Sequence, residues 1–384
     1  AATCEAIPSS VHTIPVPLLS PEESVQLARM LLQERTGAVS LDTIQLQELA
    51  QESTGHPLFI QELIRHVGTT SGRLGDRCAL NLDEALWDRL VHLSKTERNI
   101  IEISSLAGTP LPLRVIARVL ENKPGNLIRT VTHLQSAALL KPAVINRDRL
   151  LEPYHDRLRI CVRSHLSPER TRTWHRKLAH ALKGEENPPV QLLAHHFAQA
   201  HEIPQAIHYT LRAAREASAS LAFRRAASLY RQVLERWPEE DLLSAAEKRA
   251  IRLDLAQALA NAGQSQEAAS MYLQLVPDST RAEALRHKSA AGELLLRAGH
   301  MRDGMQTLRE LLASIHVQLP RPGLPTLLSL LWRRFRLRLR GLRFKEQDES
   351  QISPAALARL DLFRSVSEAS SDLWLAATLG TRFL

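Results

Sequence analysis

Cysteine and aromatic residues are scarce in this 384-residue sequence. The three cysteines, Cys4, Cys78 and Cys161, are far apart and odd in number, so no disulfide framework or Cys-x-x-Cys metal pair can be drawn from them. This usage indicates a reducing, cytoplasmic setting. Aromatic residues make up only 4% of the chain. Leucine, alanine, arginine and glutamate dominate instead, and that mix favours helices over sheets.

Long apolar runs are missing too. No run approaches the ~18 residues that a membrane span needs, and the N-terminus lacks the basic-then-apolar pattern of a signal peptide. The length predicts roughly two to four domains. Because the chain opens at Ala1 and ends in apolar sequence, we interpret it as part of a larger protein.

Catalytic motifs are also absent from these residues. There is no Gly-x-x-x-x-Gly-Lys-Ser/Thr loop to cradle phosphates, and no glycine-rich loop, catalytic Asp loop or Asp-Phe-Gly of a protein kinase. His195, His196 and His201 suggest a metal site at first sight, but no cysteine lies near them. We interpret them as ordinary helix residues. The sequence therefore predicts no catalytic residue, no metal site and no reaction catalysed by this chain alone.

The net charge of +8 is concentrated in one stretch. Residues 321–345 hold eight basic residues and no acid, and elsewhere basic and acidic residues balance. The apolar positions of this stretch fit one helical face. It is either a cationic amphipathic helix for anionic lipid or an acidic partner, or a further repeat helix with solvated arginines, which is the interpretation we favour. Any affinity for nucleic acid should be weak, blind to sequence and steeply dependent on salt.

The sequence does contain residue patterns that mark where helices start and end. Residues 1–20 hold three prolines and read as an irregular lead-in, and Ser20 followed by Pro21 and two acids marks a helix start. Gly55 suits the left-handed position that closes a helix, and Pro57 suits the first turn of the next one. Residues 1–68 thus predict a small helical bundle, and glycine-rich residues 69–82 a linker.

Residues 83–185 predict a second unit. Apolar residues at helical spacing mark successive helices, and two short apolar runs separated by Asn146, Arg147 and Asp148 mark a β-hairpin. Helices followed by a hairpin are the order of a winged helix. Its third helix, 126–137, offers Arg129 as its only certain cation, so we interpret the unit as a packing element and not as a DNA reader.

The chain then becomes repetitive. The segment Ala-Ala-Ser-Leu-Tyr at 226–230 nearly recurs as Ala-Ala-Ser-Met-Tyr at 268–272, and a third copy lies at 304–312. Ala-Gly pairs precede the second and third copies. Two helices in each 34–42 residues are typical of tetratricopeptide-like repeats, which are usually binding platforms. We predict repeats over 190–320, then the basic helix and further repeat helices over 321–384, in a mainly α fold that ends in an α-solenoid.

Two groups of residues carry a resemblance to a known family. Gly-x-Pro-Leu-Phe at 55–59, followed by a helix with an acid, resembles the lid helices of STAND-type signalling ATPases of the AAA class. His-Asp-Arg-Leu at 155–158, and the basic segment at 167–179, are similar to the chain after the winged helix in bacterial ATPases with repeat tails. Such tails occur in PknK-type serine/threonine kinases and in MalT-like LuxR regulators.

The resemblance implies a nucleotide site and a signalling role. It implies that Pro57 packs on the adenine of ATP or ADP and that His155 contacts the β-phosphate, with magnesium, in an intact parent protein; the usual Met-His-Asp is Tyr-His-Asp here, and a structural role for His155 stays open. The implied parent is a serine/threonine kinase with a regulatory ATPase. The alternatives are a MalT-like transcription activator and a repeat scaffold that never binds nucleotide. The implied partner is a protein held by the repeats, and oligomerisation is left open.

Overall fold

A computed structural model describes residues 15–36, 41–70, 81–145, 148–237 and 242–314, with isolated positions between 328 and 339. Several sequence predictions lie outside these residues. They concern the irregular lead-in up to residue 14, the centre of the linker, the hairpin turn at 146–147 and most of the basic stretch. The described chain is mainly α, as predicted, with sixteen helices and one three-stranded sheet.

The chain folds into two compact units. One reaches to Pro188 and includes Gln199–His201, and the other contains Pro189–Ala198 and the chain from Glu202 onward. The first unit contains the helices α1 (Pro21–Thr36), α2 (Thr43–Ser53), α3 (Pro57–Thr70), α4 (Leu82–Val91), α5 (Lys95–Leu106), α6 (Leu113–Val119), α7 (Pro124–Ser136), α8 (Asp156–His165) and α9 (Pro168–Lys183). Its strands are β1 (Leu111–Pro112), β2 (Leu140–Ile145) and β3 (Asp148–Pro153).

Local chemistry explains where these helices begin. Ser94 caps α5 in a capping box, because its hydroxyl accepts the Glu97 N–H while the Glu97 carboxylate accepts the Ser94 N–H. Asp42 forms the same arrangement at α2 with Gln45. Pro57 is the first residue of α3, where a missing N–H costs no hydrogen bond. The start of α3 at Pro57 agrees with the sequence prediction.

The first three helices and α4 share one apolar core with α8. Its buried members are Ala28, Leu32, Leu46, Leu49, Phe59, Ile60, Leu63, Ile64, Leu82, Ala85, Leu86 and Cys161. Two apolar residues at helical spacing do not face a core. Ile44 is 62% exposed because α2 turns Leu46 inward instead, and Ile128 on α7 is 55% exposed while Leu127 is buried. In both helices, fewer of the apolar residues face the core than their helical spacing predicts.

The first unit has the predicted order of a winged helix, with helices followed by a β-hairpin. β3 lies in the middle and pairs antiparallel with both β2 and β1, and Leu111 stands opposite Leu151. The sequence predicts β2 and β3 as a hairpin but not β1, since two residues carry no alternation that could reveal a strand. Pairing of β1 ties the start of α6 to the hairpin.

The second unit stacks helical hairpins. Its helices are α10 (Val190–Gln199), α11 (Ile203–Ala219), α12 (Phe223–Arg236), α13 (Ala245–Asn261), α14 (Ser265–Leu275), α15 (Arg281–Arg297) and α16 (Met301–Ser314). From α11 onward each helix packs on the next. The three copies of the repeated segment are α12, α14 and α16, as the sequence predicts. In the described residues no helix is long and apolar enough to cross a membrane.

The closing turns of the repeats use one backbone conformation. Gly263 and Gly299 have φ of +79° and +83°, and Leu221 stands at the equivalent place in the first pair with φ of +59°. Leucine in this region is strained because its Cβ crowds the following carbonyl. Leu221 is also 74% exposed, so nothing packs on its side chain to offset that strain.

Candidate functional site: the joint between helix α3 and helix α8

The backbone of Leu19 lies against that of Gly55, and this contact sets the position of the N-terminus of α3. The Leu19 N–H donates to the Gly55 carbonyl at 2.9 Å, just before α3 begins. Gly55 has φ of +75°, and a Cβ added there would lie 2.2 Å from the Leu19 carbonyl oxygen. Only glycine fits such a position. The predicted helix-closing role is confirmed, and the close contact with Leu19 is an additional constraint.

Three rings meet where α3 reaches the start of α8. His56 stacks on Phe59 at a centroid distance of 4.5 Å. His155 meets both edge-on, at 4.9 Å from His56 and 4.6 Å from Phe59. We call these three residues the ring cluster. It brings the two motifs of the sequence, at 55–59 and 155–158, into direct contact.

His155 is also the N-cap of α8, and that role sets its tautomer. Its Nδ1 accepts the Arg157 N–H at 3.1 Å, so in the neutral ring the proton is on Nε2. Burial lowers the pKa of His155, and the neighbouring His56 lowers it further. A neutral imidazole with Nε2–H is a hydrogen-bond donor toward an anion such as a phosphate oxygen.

The ring cluster lies at the surface on one side. Pro57 is exposed and His155 half-buried, and the Nδ1 atom of His56 is buried without a hydrogen-bond partner in the described chain. The cavity behind Phe59 and His155 measures only about 10 Å³, space for about one water. A nucleotide would therefore contact this joint from its exposed side.

A buried ion pair connects α3 to α4 next to the ring cluster. The Glu62 carboxylate on α3 is 3% exposed and pairs with Arg89 of α4. Arg89 also donates to the Ala137 carbonyl just after α7, so one guanidinium joins three elements. Burial lowers the pKa of Arg89, although Glu62 counteracts part of that shift. The sequence shows neither partner as special, because the residues are 27 positions apart.

The repeats offer a separate groove within the second unit. It has a volume of about 760 Å³ and is lined by α13, α14 and α15. Tyr272 stacks on His287 at 5.8 Å, and Leu253 is 37% exposed. The Arg249 guanidinium is bound to Glu283 at 2.6 Å, whereas Arg286 lines the groove and is exposed. The sequence predicts repeats but not which face carries these side chains.

No protein-family profile matches the sequence, and no curated protein matches it. Among solved structures, the chain is similar to a Signal Transduction ATPase with Numerous Domains (STAND) protein with a tetratricopeptide repeat sensor from Pyrococcus horikoshii. The identity is 13% and the TM-score 0.42, and the match covers 92% of this chain. It covers 48% of that protein, so the chain spans about half of its length. At this level of similarity, any assignment of function depends on the geometry of this chain.

Proposed function

We propose that this chain is the regulatory and sensor part of a multidomain signalling ATPase. In this proposal the joint closes against ATP or ADP that is anchored elsewhere in a longer protein, and the repeats bind a protein partner. The observation that supports it most is the ring cluster, where the proline-bearing start of α3 meets His155. A serine/threonine kinase of the PknK type is the parent that we favour over a MalT-like activator.

The proposal gives each residue of the joint a limited task. Pro57 offers an exposed apolar surface to an adenine face, and His155 offers one N–H to a phosphate oxygen. In an intact parent protein, the nucleotide bound with magnesium would supply the phosphate oxygen that accepts this hydrogen bond. Two such contacts cannot offset the several kcal/mol lost on binding. The 384-residue chain should therefore neither bind ATP tightly nor hydrolyse it.

Substitutions at His155 separate its capping role from its ligand role. In a longer protein with a phosphate-binding loop, His155→Ala removes both the cap and the Nε2–H donor. His155→Asn keeps an oxygen that accepts the Arg157 N–H but has no imidazole. We expect both variants to alter retention of ADP relative to ATP, and only the alanine variant to lose about 1 kcal/mol of stability. Pro57→Ala should weaken retention of both nucleotides.

Calorimetry and release of labelled nucleotide measure these effects. Micromolar binding of ATP by the 384-residue chain would contradict the proposal. So would unchanged ADP and ATP retention in His155→Asn, because the ring cluster would then be a structural contact alone.

A further inference from the structure

A second polar cleft lies on the first unit, apart from the ring cluster. It has a volume of about 510 Å³ and is lined by residues of α4, α5 and α9 and by the end of α8. Its charged and titratable members are Lys95, Arg98, Glu102, His165 and Arg170. We call it the α5–α9 cleft. Three permanent cations face one carboxylate there, and no role assigned so far uses them.

Arg170 is held in place by its neighbours. Its Nε donates to Glu102 at 2.6 Å and its Nη2 to Asn99 at 2.9 Å, while the guanidinium lies 5.5 Å from the centre of the Trp174 ring. Glu102 is buried and also accepts the Trp174 indole N–H at 2.7 Å. Both donors meet the Oε2 atom of Glu102, and the buried carboxylate thereby fixes the position of Arg170.

The other two cations have no carboxylate partner in the described chain. Arg98 donates to the carbonyls of Leu90 and Val91 at the end of α4, which orients its guanidinium and leaves further N–H groups unused. Lys95 is exposed, and its ammonium makes no hydrogen bond or ion pair with a described residue. The acid nearest in sequence, Glu97, is turned to the Ser94 N–H and to His133.

His165 forms part of one wall of the cleft. Its ring stacks on Trp87 at 4.2 Å with an angle of 11°, and its Nδ1 bonds to the Cys161 carbonyl at 2.9 Å. This bond fixes the ring with Nδ1 as the donor, so in the neutral ring Nε2 carries a lone pair and can only accept a hydrogen bond. The groups that match the oxygens of a phosphate are therefore the guanidinium and ammonium groups, the planar guanidinium in a bidentate manner.

We propose that the α5–α9 cleft binds the phosphate group of a small molecule, with Lys95 and Arg98 contacting its oxygens. Its volume lies in the range of small-molecule sites and exceeds what a single inorganic phosphate fills. The proposal is independent of the nucleotide role of the joint. It makes the first unit a receptor for a phosphorylated effector on a surface away from the ring cluster.

Titration of the full chain with inorganic phosphate and with pyrophosphate, at constant ionic strength, tests this proposal. Trp87 forms part of the cleft, so its fluorescence reports binding, and calorimetry measures the affinity. We expect saturable binding of pyrophosphate, tighter than that of phosphate because more oxygens reach the cations. Lys95→Gln should weaken it by about tenfold, and Lys95→Glu should abolish it.

Three controls make the result decisive. Lys123→Gln removes an exposed charge of the same unit outside the cleft and should leave the affinity unchanged. His155→Ala should also leave it unchanged, whereas loss of binding there would locate the anion at the joint. Lys95 makes no contact needed for folding, so a melting temperature equal to that of the parent chain shows that the variant is folded. Absence of saturable binding up to about 10 mM pyrophosphate, or equal affinity in Lys95→Gln, would overturn the proposal.

Discussion

Glycines with positive φ occupy two different surroundings in the first unit. Gly55 and Gly108 both have φ of +75°, yet a Cβ on Gly55 would meet the Leu19 backbone and one on Gly108 would meet nothing within 4 Å. The first glycine is therefore required by both conformation and space, and the second by conformation alone. A comparison of the two glycines therefore isolates the free-energy cost of a side chain that meets the Leu19 backbone.

We expect Gly55→Ala to destabilise the first unit far more than Gly108→Ala. The Gly108 variant should lose about 1 kcal/mol, the usual cost of an L residue in the left-handed region. The Gly55 variant should lose that amount and in addition break the Leu19–Gly55 hydrogen bond, a total above about 3 kcal/mol. Urea denaturation followed by circular dichroism measures both. Equal losses would mean that residue 19 moves away without cost.

Sequence reasoning at this scale succeeds where the cause is local. The helix-closing role of Gly55 and the first-turn role of Pro57 follow from neighbouring residues, and the structure confirms both. The strained Leu221 was not predicted, because leucine carries no signal for positive φ. The contact of His56 with His155 joins residues about a hundred positions apart, and no local pattern contains it.

Among the elements, α3, α4 and α7 are joined through one guanidinium. Arg89 spans from the Glu62 carboxylate to the carbonyl of Ala137, which follows α7. Removing Glu62 would leave the buried charge of Arg89 without its carboxylate, and removing Arg89 would leave Glu62 with the more distant Arg65, at 3.4 Å, as its partner. The penalty for an uncompensated buried charge commonly exceeds the net value of the pair itself. The connection therefore makes the packing of α3 against α4 sensitive to the end of α7.

A double-mutant cycle measures this connection. Glu62→Met and Arg89→Met should each cost about 3 kcal/mol, and the double variant should cost clearly less than the sum of the two. Lys177→Met, which removes an exposed ion pair with Glu121, should change little and serves as the control. Additive losses at Glu62 and Arg89 would show that the two side chains do not stabilise each other.

Prediction of elements from the sequence worked for most helices. It failed for the short strand β1 and for apolar residues that face away from the core. Capping residues and apolar periodicity mark helix starts, and the hairpin of β2 and β3 shows as two apolar runs. β1 has two residues and becomes a strand only because β3 lies beside it. Ile44 and Ile128 show that an apolar residue at helical spacing need not face the core.

For the molecule as a whole, the groove in the repeat unit is where we place the proposed protein partner. This groove of about 760 Å³ combines the exposed Leu253 and the half-buried Tyr272 with Arg286, while α13 and α15 contribute small alanines that keep it open. An apolar centre with one exposed cation at its edge suits a peptide that carries an acidic residue. The repeats were predicted from the sequence because duplication leaves a visible period, and the groove was not.

We expect Arg286→Gln to weaken capture of a partner protein several-fold, because the groove loses its exposed cation. Arg302→Gln removes an exposed arginine on α16 outside the groove and should have no effect. Residues 190–384 should retain the partner that the full chain binds in pull-down experiments. Retention only by pieces containing residues 83–160 would assign the partner to the winged helix instead.

The glycines of the α15–α16 hairpin, the last that the structure describes, fix how its two helices pack. A Cβ on Gly292 of α15 would lie 2.7 Å from a Leu308 methyl carbon, and one on Gly304 of α16 would lie 2.8 Å from Leu296. Each helix thus inserts a leucine into a notch on the other. A shift along the helix axis would drive leucine against backbone, so the two helices cannot slide past each other.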